Sequence, residues 1–347
     1  MTRVYLDWNA TTPLRAEAKD AMVDAMDVVG NPSSVHAEGR AAKGLIERAR
    51  KDLAVALGAE GADIIFTSSA TEAAALALAG KGISCAGIEH DAVRSWCDES
   101  LPVGKNGAVG VTDPAKSALQ LANSETGVIQ SLPDGVFLTD ATQAFGKIPF
   151  AFNWCGAQMA IVSAHKLGGP KGIGALVVKR GTEIEARIKG GGQEMGRRSG
   201  TENVVGIAGF AAAARAAQAD LEAGAGARVE KLRKILENTI AESSNKTIFV
   251  GKDANRLPNT SCFVTPGWKG ETQVMVMDLA GFAVSAGSAC SSGKVKTSAA
   301  LVAMGFDRDQ AGCALRVSLG AATSENEVRA FAKAWASEYE KFQARAY

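Results

Sequence analysis

The chain has 347 residues, with 38 basic against 37 acidic side chains and a formal net charge of +1. This length suits a large domain joined to a smaller one, and 46% hydrophobic residues are typical of a globular protein. The balanced charge gives no electrostatic basis for binding nucleic acid or an anionic membrane. The N-terminus lacks a signal-peptide pattern and no apolar run reaches membrane-spanning length, so we expect a cytoplasmic protein.

The N-terminal half predicts helices alternating with short strands. Helices are predicted over 16–28 and 41–57, followed by a buried strand over 62–66 and an alanine-rich helix. This alternation predicts a mostly parallel sheet with helices on both faces. The further strands are predicted over 82–87, 109–111, 117–122, 136–139, 159–162 and 174–178.

The C-terminal part predicts a second, smaller domain of mixed type. A helix over 204–223 is followed by a flexible Ala-Gly-Ala-Gly segment and a helix over 228–243 that carries the chain out of the first domain. The remaining pattern, which is typical of a small α+β domain, comprises strands over 247–250, 260–264, 283–285 and 314–318 and a helix over 325–344.

The six cysteines are scattered and form no Cys-x-x-Cys pair. In a large cytosolic chain this argues against a disulfide framework and against a zinc site. Only three histidines occur, and none pairs with another at metal-ligand spacing. We therefore expect no metal centre.

Lys166 follows the apolar run 159–162 and precedes a glycine-rich segment. A lysine held at a strand end with little water is suited to a lowered pKa and to Schiff-base chemistry. Asp140 ends the preceding strand. An amine and a carboxylate on neighbouring strands are what a pyridoxal phosphate site needs, for the aldehyde and the pyridinium nitrogen. A surface lysine in a glycine-rich turn is the alternative, and the aspartate strand argues against it.

Three further positions allow two interpretations each. The segment 68–72 is an ordinary helix cap from Ser69 to Glu72, or an anion site at a helix N-terminus. His90 is a surface histidine at a strand end, or an imidazole that stacks on a cofactor ring or carries protons. Arg316 lies inside an apolar strand and needs a carboxylate, which either a structural acid or a substrate would supply.

Cys290 lies among serine, alanine and glycine residues, as expected for an exposed loop. Buried structural cysteines usually have larger apolar neighbours, so we expect this thiol to be reactive. Lys294 and Lys296 would favour its thiolate form.

Taken together, these motifs resemble the cysteine desulfurases of the NifS/IscS type, in the aminotransferase class V group. The similarity runs almost end to end in family order. The matching segments are 5–13, 30–36, 70–72, 89–90, 140–143, 165–166, 198–201, 287–290 and 316–320.

The resemblance implies the type I fold of pyridoxal-phosphate-dependent transferases, an α/β fold with a mostly parallel seven-stranded sheet in the large domain. It places the large domain at 13–228 and a smaller α+β domain at 1–12 plus 229–347, which carries the cysteine loop. It also implies a homodimer, because the threonine at position 201 is supplied to the phosphate site of the partner subunit.

The resemblance also assigns site residues. Lys166 would form the Schiff base with pyridoxal phosphate, and Asp140 would pair with the pyridinium nitrogen. His90 would stack on the ring and assist proton transfer, and Gln143 would contact the ring hydroxyl. The other implied cofactor contacts are Ala70, Thr71, Ser163, His165 and Thr201, and the implied substrate contacts are Arg316, Asn31 and Asn123.

The implied reaction converts L-cysteine into L-alanine and leaves a persulfide on Cys290 for a sulfur-acceptor protein, such as an iron–sulfur scaffold. Alternatives are a selenocysteine lyase, a class V aminotransferase, or an idle homologue that only binds a partner. Two features depart from the family pattern. Ser124 replaces an asparagine that contacts cofactor or substrate, and the regions 80–117 and 131–136 are shortened.

Overall fold

The computed structural model describes residues 3–287 and 297–345. The strands in chain order are β1 (Val4–Tyr5), β2 (Asp63–Thr67), β3 (Ile83–Ala86), β4 (Cys97–Leu101), β5 (Leu138–Asp140), β6 (Met159–Ser163), β7 (Gly174–Val178), β8 (Ile248–Phe249), β9 (Thr260–Val264), β10 (Phe282–Ala283), β11 (Ser285–Ala286) and β12 (Ala314–Ser318). The helices are α1 (Ala16–Met26), α2 (Ala37–Ala56), α3 (Ala70–Leu78), α4 (Asp91–Arg94), α5 (Val204–Glu222), α6 (Ala225–Ser243), α7 (Gly270–Leu279), α8 (Ala299–Ala303), α9 (Arg308–Ala311) and α10 (Glu325–Arg345).

The large sheet has the predicted mostly parallel arrangement. Strands β2, β7, β6 and β5 form its regular part, and β3 pairs with β4. Single bridges from Ala118 to Leu138 and from Ser117 to Ser84 connect the two parts. The described order is therefore β4, β3, 117–118, β5, β6, β7, β2. Among the described strands of this sheet only β7 runs antiparallel to its neighbours, so the mostly parallel α/β fold is confirmed, with the bridged segment 117–118 in the place of a seventh strand.

Both faces of this sheet are buried, which explains the continuous apolar runs in its strands. Alternate residues of β6 and β7 point to opposite faces. One face packs against α2 and α5, and the other packs against α3. The first cluster includes Phe66, Val162, Val177, Leu53 and Phe210, and the second includes Ile65, Ile161, Leu176, Leu76 and Leu78.

Helix α5 has the length and the apolar composition of a membrane span, with a mean hydropathy of 1.2. The expectation that no apolar run reaches this length is therefore wrong. Its composition reflects its place in the core, since Ile207 and Phe210 are fully buried. Gly209 lets α1 approach closely, because a Cβ there would lie 2.6 Å from Cγ of Met22.

The N-terminal segment belongs structurally with the C-terminal part of the chain. Strand β1 pairs with β10, and Asp7 bridges to Ser318 beside the antiparallel sheet β11-β12-β9-β8. Leu6 shares a hydrophobic cluster with residues of α6, β9 and α10, including Trp335. The shared core joins the N-terminal segment to the C-terminal part, and the division into residues 13–228 and residues 1–12 plus 229–347 stays a prediction.

Several boundaries differ from the sequence predictions. Helix α2 begins at Ala37 and not at 41, because Nδ1 of His36 accepts a hydrogen bond from the Gly39 N–H and caps the helix. The predicted strand 109–111 is reduced to one bridge between Val103 and Val109. The polar strand β4 was not predicted, since its exposed Asp98, Glu99 and Ser100 carry no apolar pattern.

Candidate active site

Asp140 and Lys166 lie at the same edge of the sheet. Asp140 is the last residue of β5, and Lys166 ends a short 3-10 turn (Ala164–Lys166) that follows β6 directly. Since β5 and β6 are parallel, their carboxyl ends meet at one edge, which is where ligands bind in open α/β sheets. The structure therefore places the predicted carboxylate and amine together as the sequence indicates.

The Lys166 amine is held by the N-terminal segment. Its Nζ donates to the backbone oxygens of Asn9 at 2.7 Å and Ala10 at 2.9 Å. Thr12 reinforces this contact, because its hydroxyl donates to the Lys166 carbonyl at 2.8 Å. Lys166 is thus bound to a segment that is distant in sequence and joined to the smaller sheet.

Asn9 organises the polar groups around Lys166. Its backbone oxygen also accepts a hydrogen bond from Nε2 of Gln143 at 3.0 Å. Its side-chain oxygen accepts from Nζ of Lys147 at 2.9 Å and from Nδ2 of Asn259 at 3.0 Å. Asn9 is buried, with 1% of its surface exposed, and its amide nitrogen also donates to the hydroxyl of Thr260.

Asp140 accepts a hydrogen bond from the Thr142 N–H at 2.8 Å, which fixes its carboxylate. The Thr142 hydroxyl is buried and has no partner among the described residues. Nearby, burial raises the pKa of Glu89 well above its usual value, and the charge of Asp140 adds to this effect. Burial therefore favours the neutral form of the Glu89 carboxyl group.

His90 begins α4 and caps it through its ring. Nδ1 accepts a hydrogen bond from the Ala92 N–H at 3.1 Å. A neutral ring in this arrangement carries its proton on Nε2. His90 lines a cavity of about 50 Å³ together with Ser124, Glu125 and Arg316. The structure thus brings the predicted imidazole and the predicted carboxylate-binding guanidinium to one cavity.

Arg316 lies in β12 with only 2% of its surface exposed. One terminal nitrogen donates to Oδ1 of Asp7 at 2.7 Å, and the other donates to the backbone oxygen of Ser124 at 3.1 Å. Its Nε is buried and has no partner among the described residues. The structural carboxylate required by a buried arginine is therefore Asp7, and the Nε–H group has no acceptor among the described residues.

Glu125 is a second carboxyl group in the His90 cavity. It accepts a hydrogen bond from the hydroxyl of Ser298. Burial raises its pKa to about 7, although the Ser298 hydroxyl and the charge of Arg316 oppose the rise. Glu125 is therefore poised to change its protonation near neutral pH.

The segment 68–72 has the helix-cap geometry and also faces a cavity. The Ser69 hydroxyl accepts from the Glu72 N–H at 3.3 Å, so the cap interpretation is correct for Ser69. Ala70 and Thr71 form the first turn of α3, where free N–H groups favour an anion. Gly174 permits this turn to approach β7, because a Cβ there would lie 2.6 Å from the Ser69 carbonyl carbon.

The segment containing Thr201 is tied to this turn. Nε of Arg198 donates to Oε1 of Glu72 at 2.7 Å. Thr201 is exposed and lines a cavity with Ser68 and Arg198. This arrangement brings hydroxyl groups and the N-terminus of a helix to one surface.

Ser163 and His165 flank the strand end that carries Lys166. Ser163 is buried and pairs with Gly174. Nδ1 of His165 lies 3.2 Å from the hydroxyl of Thr11. Burial, together with the neighbouring Lys166, Lys171 and Lys147, lowers the pKa of His165 to about 4. His165 is therefore a neutral hydrogen-bonding group at pH 7.

The two predicted substrate-binding asparagines are engaged by the protein itself. The side-chain oxygen of Asn123 accepts from the Glu125 and Thr126 N–H groups, and its nitrogen donates to the Ile88 carbonyl at 2.9 Å. Asn31 is exposed in the loop between α1 and α2, where its side chain accepts from the Ser33 N–H at 2.9 Å. Both side chains shape local turns in the described structure.

The residues at this sheet edge fit pyridoxal phosphate. They supply an amine for an aldehyde at Lys166, a fixed carboxylate for a ring nitrogen at Asp140 and an oriented amide at Gln143. The buried Thr142 hydroxyl offers a further unused polar group. The predicted nucleophile Cys290 lies outside the described residues.

Sequence reasoning missed four site residues, namely Asp7, Asn9, Glu125 and Lys147. Asp7 and Asn9 lie inside the matching segment 5–13, and Glu125 follows Ser124, but nothing in the sequence shows that these residues meet Arg316 or Lys166. The spacing of Lys147, four residues after Gln143, is the only signal for its contact with that amide.

A family model described as aminotransferase class-V matches residues 4–93 and 110–331. The cysteine desulfurase of Cereibacter sphaeroides is 37% identical, over 94% of this chain and 93% of its own length. Cysteine desulfurase IscS of Dictyoglomus turgidum is 36% identical, over 94% and 91% respectively. The solved NifS-like protein from Rickettsia africae has a TM-score of 0.87 at 30% identity, covering 97% of this chain and 99% of that chain. The chain therefore belongs to the aminotransferase class-V family and, within it, to the cysteine desulfurases of the IscS and NifS type.

Proposed function

We propose that this chain is a pyridoxal-phosphate-dependent cysteine desulfurase that converts L-cysteine into L-alanine and leaves the sulfur as a persulfide on Cys290. The observation that carries this proposal is the meeting of Lys166 with Asp140 at one sheet edge. The family membership supports the same reaction class.

Each side chain has a role that follows from its surroundings. When bound, pyridoxal phosphate supplies an electron sink for cleavage at the substrate β-carbon. Lys166 provides the amine that holds it, and Asp140 provides the carboxylate for its ring nitrogen. Arg316 binds the substrate carboxylate, since its Nε is free for an acceptor in the described structure and its other nitrogens are fixed.

Proton handling falls to His90. Its Nδ1 is occupied by the Ala92 N–H, so proton exchange is confined to Nε2. The conversion of L-cysteine and the Cys290 thiol into L-alanine and a persulfide needs no added oxidant. The carbon–sulfur bond of L-cysteine breaks, a sulfur–sulfur bond forms at Cys290, and the thiol proton passes through the site to the β-carbon of alanine.

The test is to assay alanine and reducible sulfur after L-cysteine is added to the purified holoenzyme. We expect equal amounts of both from the wild type. Lys166→Ala and Cys290→Ala should each abolish sulfur transfer, whereas Cys155→Ala, a partly buried control, should not. Undiminished alanine formation by Cys290→Ala would contradict the proposal. Turnover of selenocysteine alone would indicate a lyase, and keto-acid formation would indicate an aminotransferase.

We also propose that the enzyme is a cytoplasmic homodimer that passes sulfur to an acceptor protein. The exposure of Thr201 is consistent with its supply to a partner subunit. Sedimentation of the purified holoenzyme should give the dimer mass. A fully active monomer would contradict the dimer proposal.

A further inference from the structure

Lys147 is a site residue that the proposed reaction does not use. Its amine is buried and donates to two neutral acceptors, Oδ1 of Asn9 and Oε1 of Gln143. Neither acceptor is a carboxylate, although buried ammonium groups in proteins are normally paired with one. An amine in this position therefore calls for an explanation beyond packing.

The surroundings of Lys147 disfavour a charge on its amine. Burial lowers its pKa well below the usual lysine value, and the positive charges of Lys166 and Arg316 lower it further. The side chain also lines a cavity of about 70 Å³, into which the ion-paired Arg15 and Asp220 face.

Gln143 receives its orientation from these contacts. An amide side chain can be turned over at little cost unless its partners distinguish oxygen from nitrogen. Here Lys147 donates to Oε1, while Nε2 donates to the Asn9 carbonyl, which also accepts the Lys166 amine. Lys147 therefore fixes which end of the Gln143 amide faces the Lys166 pocket.

We propose that Lys147 is a positioning residue that orients the Gln143 amide toward the cofactor. This inference rests on the proposed function, in which Lys166 binds pyridoxal phosphate and Gln143 contacts its ring. A glutamine or methionine could fill the same space, but only a hydrogen-bond donor can bind Oε1.

The test is a double-mutant cycle on the dissociation constant of pyridoxal phosphate, measured by absorbance with the cofactor-free protein. Lys147→Met should weaken binding about five- to tenfold, the effect of losing one oriented hydrogen bond. The same change in a Gln143→Ala background should have little further effect, because the amide is already gone. Lys147→Gln, which retains a donor, should recover part of the loss.

Asn259→Ala is the matched control, because Asn259 donates to the same side-chain oxygen of Asn9 without contacting Gln143. The change that Asn259→Ala causes in the free energy of pyridoxal phosphate binding should add to the change caused by Gln143→Ala. Additive effects of Lys147→Met and Gln143→Ala would overturn the proposal, and Lys147→Leu, which also lacks a donor, supplies the same comparison if the methionine variant does not fold. Wild-type protein that binds no pyridoxal phosphate would overturn the proposed function as well, whereas binding with an additive cycle overturns only the role of Lys147.

Discussion

Asp7 and Arg316 form a buried ion pair between residues 309 positions apart, with Oδ1 and a terminal guanidinium nitrogen separated by 2.7 Å. Asp7 also accepts a hydrogen bond from the hydroxyl of Ser285 at 2.7 Å. The guanidinium is thereby fixed beside the His90 cavity before any substrate enters. Such preorganisation lowers the cost of ordering a binding group when the ligand arrives.

Replacing Asp7 by asparagine should destabilise the cofactor-free protein by about 3 kcal/mol, because the Arg316 charge stays buried without a partner. Urea denaturation measures this loss. Glu325→Gln, which breaks an exposed pair with Arg329, is the control and should cost less than about 1 kcal/mol. Equal losses in the free energy of unfolding for the two variants would contradict the prediction that the Asp7–Arg316 pair stabilises the fold more than an exposed pair does.

Asn9→Ala should lower the free energy of unfolding by about 2–4 kcal/mol, since it leaves Lys147, Asn259 and Thr260 without their buried partner. Chemical denaturation of the cofactor-free protein checks this expectation. Asn153→Ala removes one exposed hydrogen bond to the Glu60 carbonyl and should change stability by only a few tenths of a kcal/mol.

Glu125 should make stability decrease as the pH rises from about 4.5 to about 7. The folded state keeps the proton in this range because its pKa is raised to about 7, whereas the unfolded chain releases it. The slope contributed is at most about 1.4 kcal/mol per pH unit. The groups facing Glu125 are Ser298, Arg316, Asp91 and His90.

Glu125→Gln should remove this contribution. The free energy of unfolding of the variant should therefore rise relative to that of the wild type as the pH increases from about 4.5 to about 7. Denaturation at several pH values provides the measurement. The exposed Glu60→Gln should leave the pH dependence as in the wild type. A constant difference between Glu125→Gln and wild type would contradict the raised pKa.

Gly320→Ala should disturb the N-terminal segment that carries Asn9. A Cβ at Gly320 would lie 2.0 Å from the Trp8 ring, so the indole must move. We expect a loss of about 2 kcal/mol or more, as for overpacked cores, together with weaker binding of pyridoxal phosphate. Gly61→Ala tests a glycine whose Cβ meets no atom within 4 Å, although its positive φ carries its own cost.

The sequence specified much of this architecture locally. The predicted strands at β7, β9 and β12 match the observed strands residue for residue, because strands buried on both faces are rich in apolar residues. The positions of Asp140 and Lys166 at strand ends were equally predictable. Parallel strands bring their carboxyl ends to one edge, so these two residues had to meet if the sheet formed.

Only the tertiary structure determined which residues pair with the buried charged side chains and how the pKa values of these groups are shifted. The sequence left open whether a structural acid or a substrate would pair with Arg316, and the fold brings Asp7 to it from the other end of the chain. The buried amine of Lys147 and the raised pKa of Glu125 likewise depend on desolvation and on charges contributed by distant segments. Local patterns determine which elements form, whereas burial and electrostatic environment exist only once those elements have packed together.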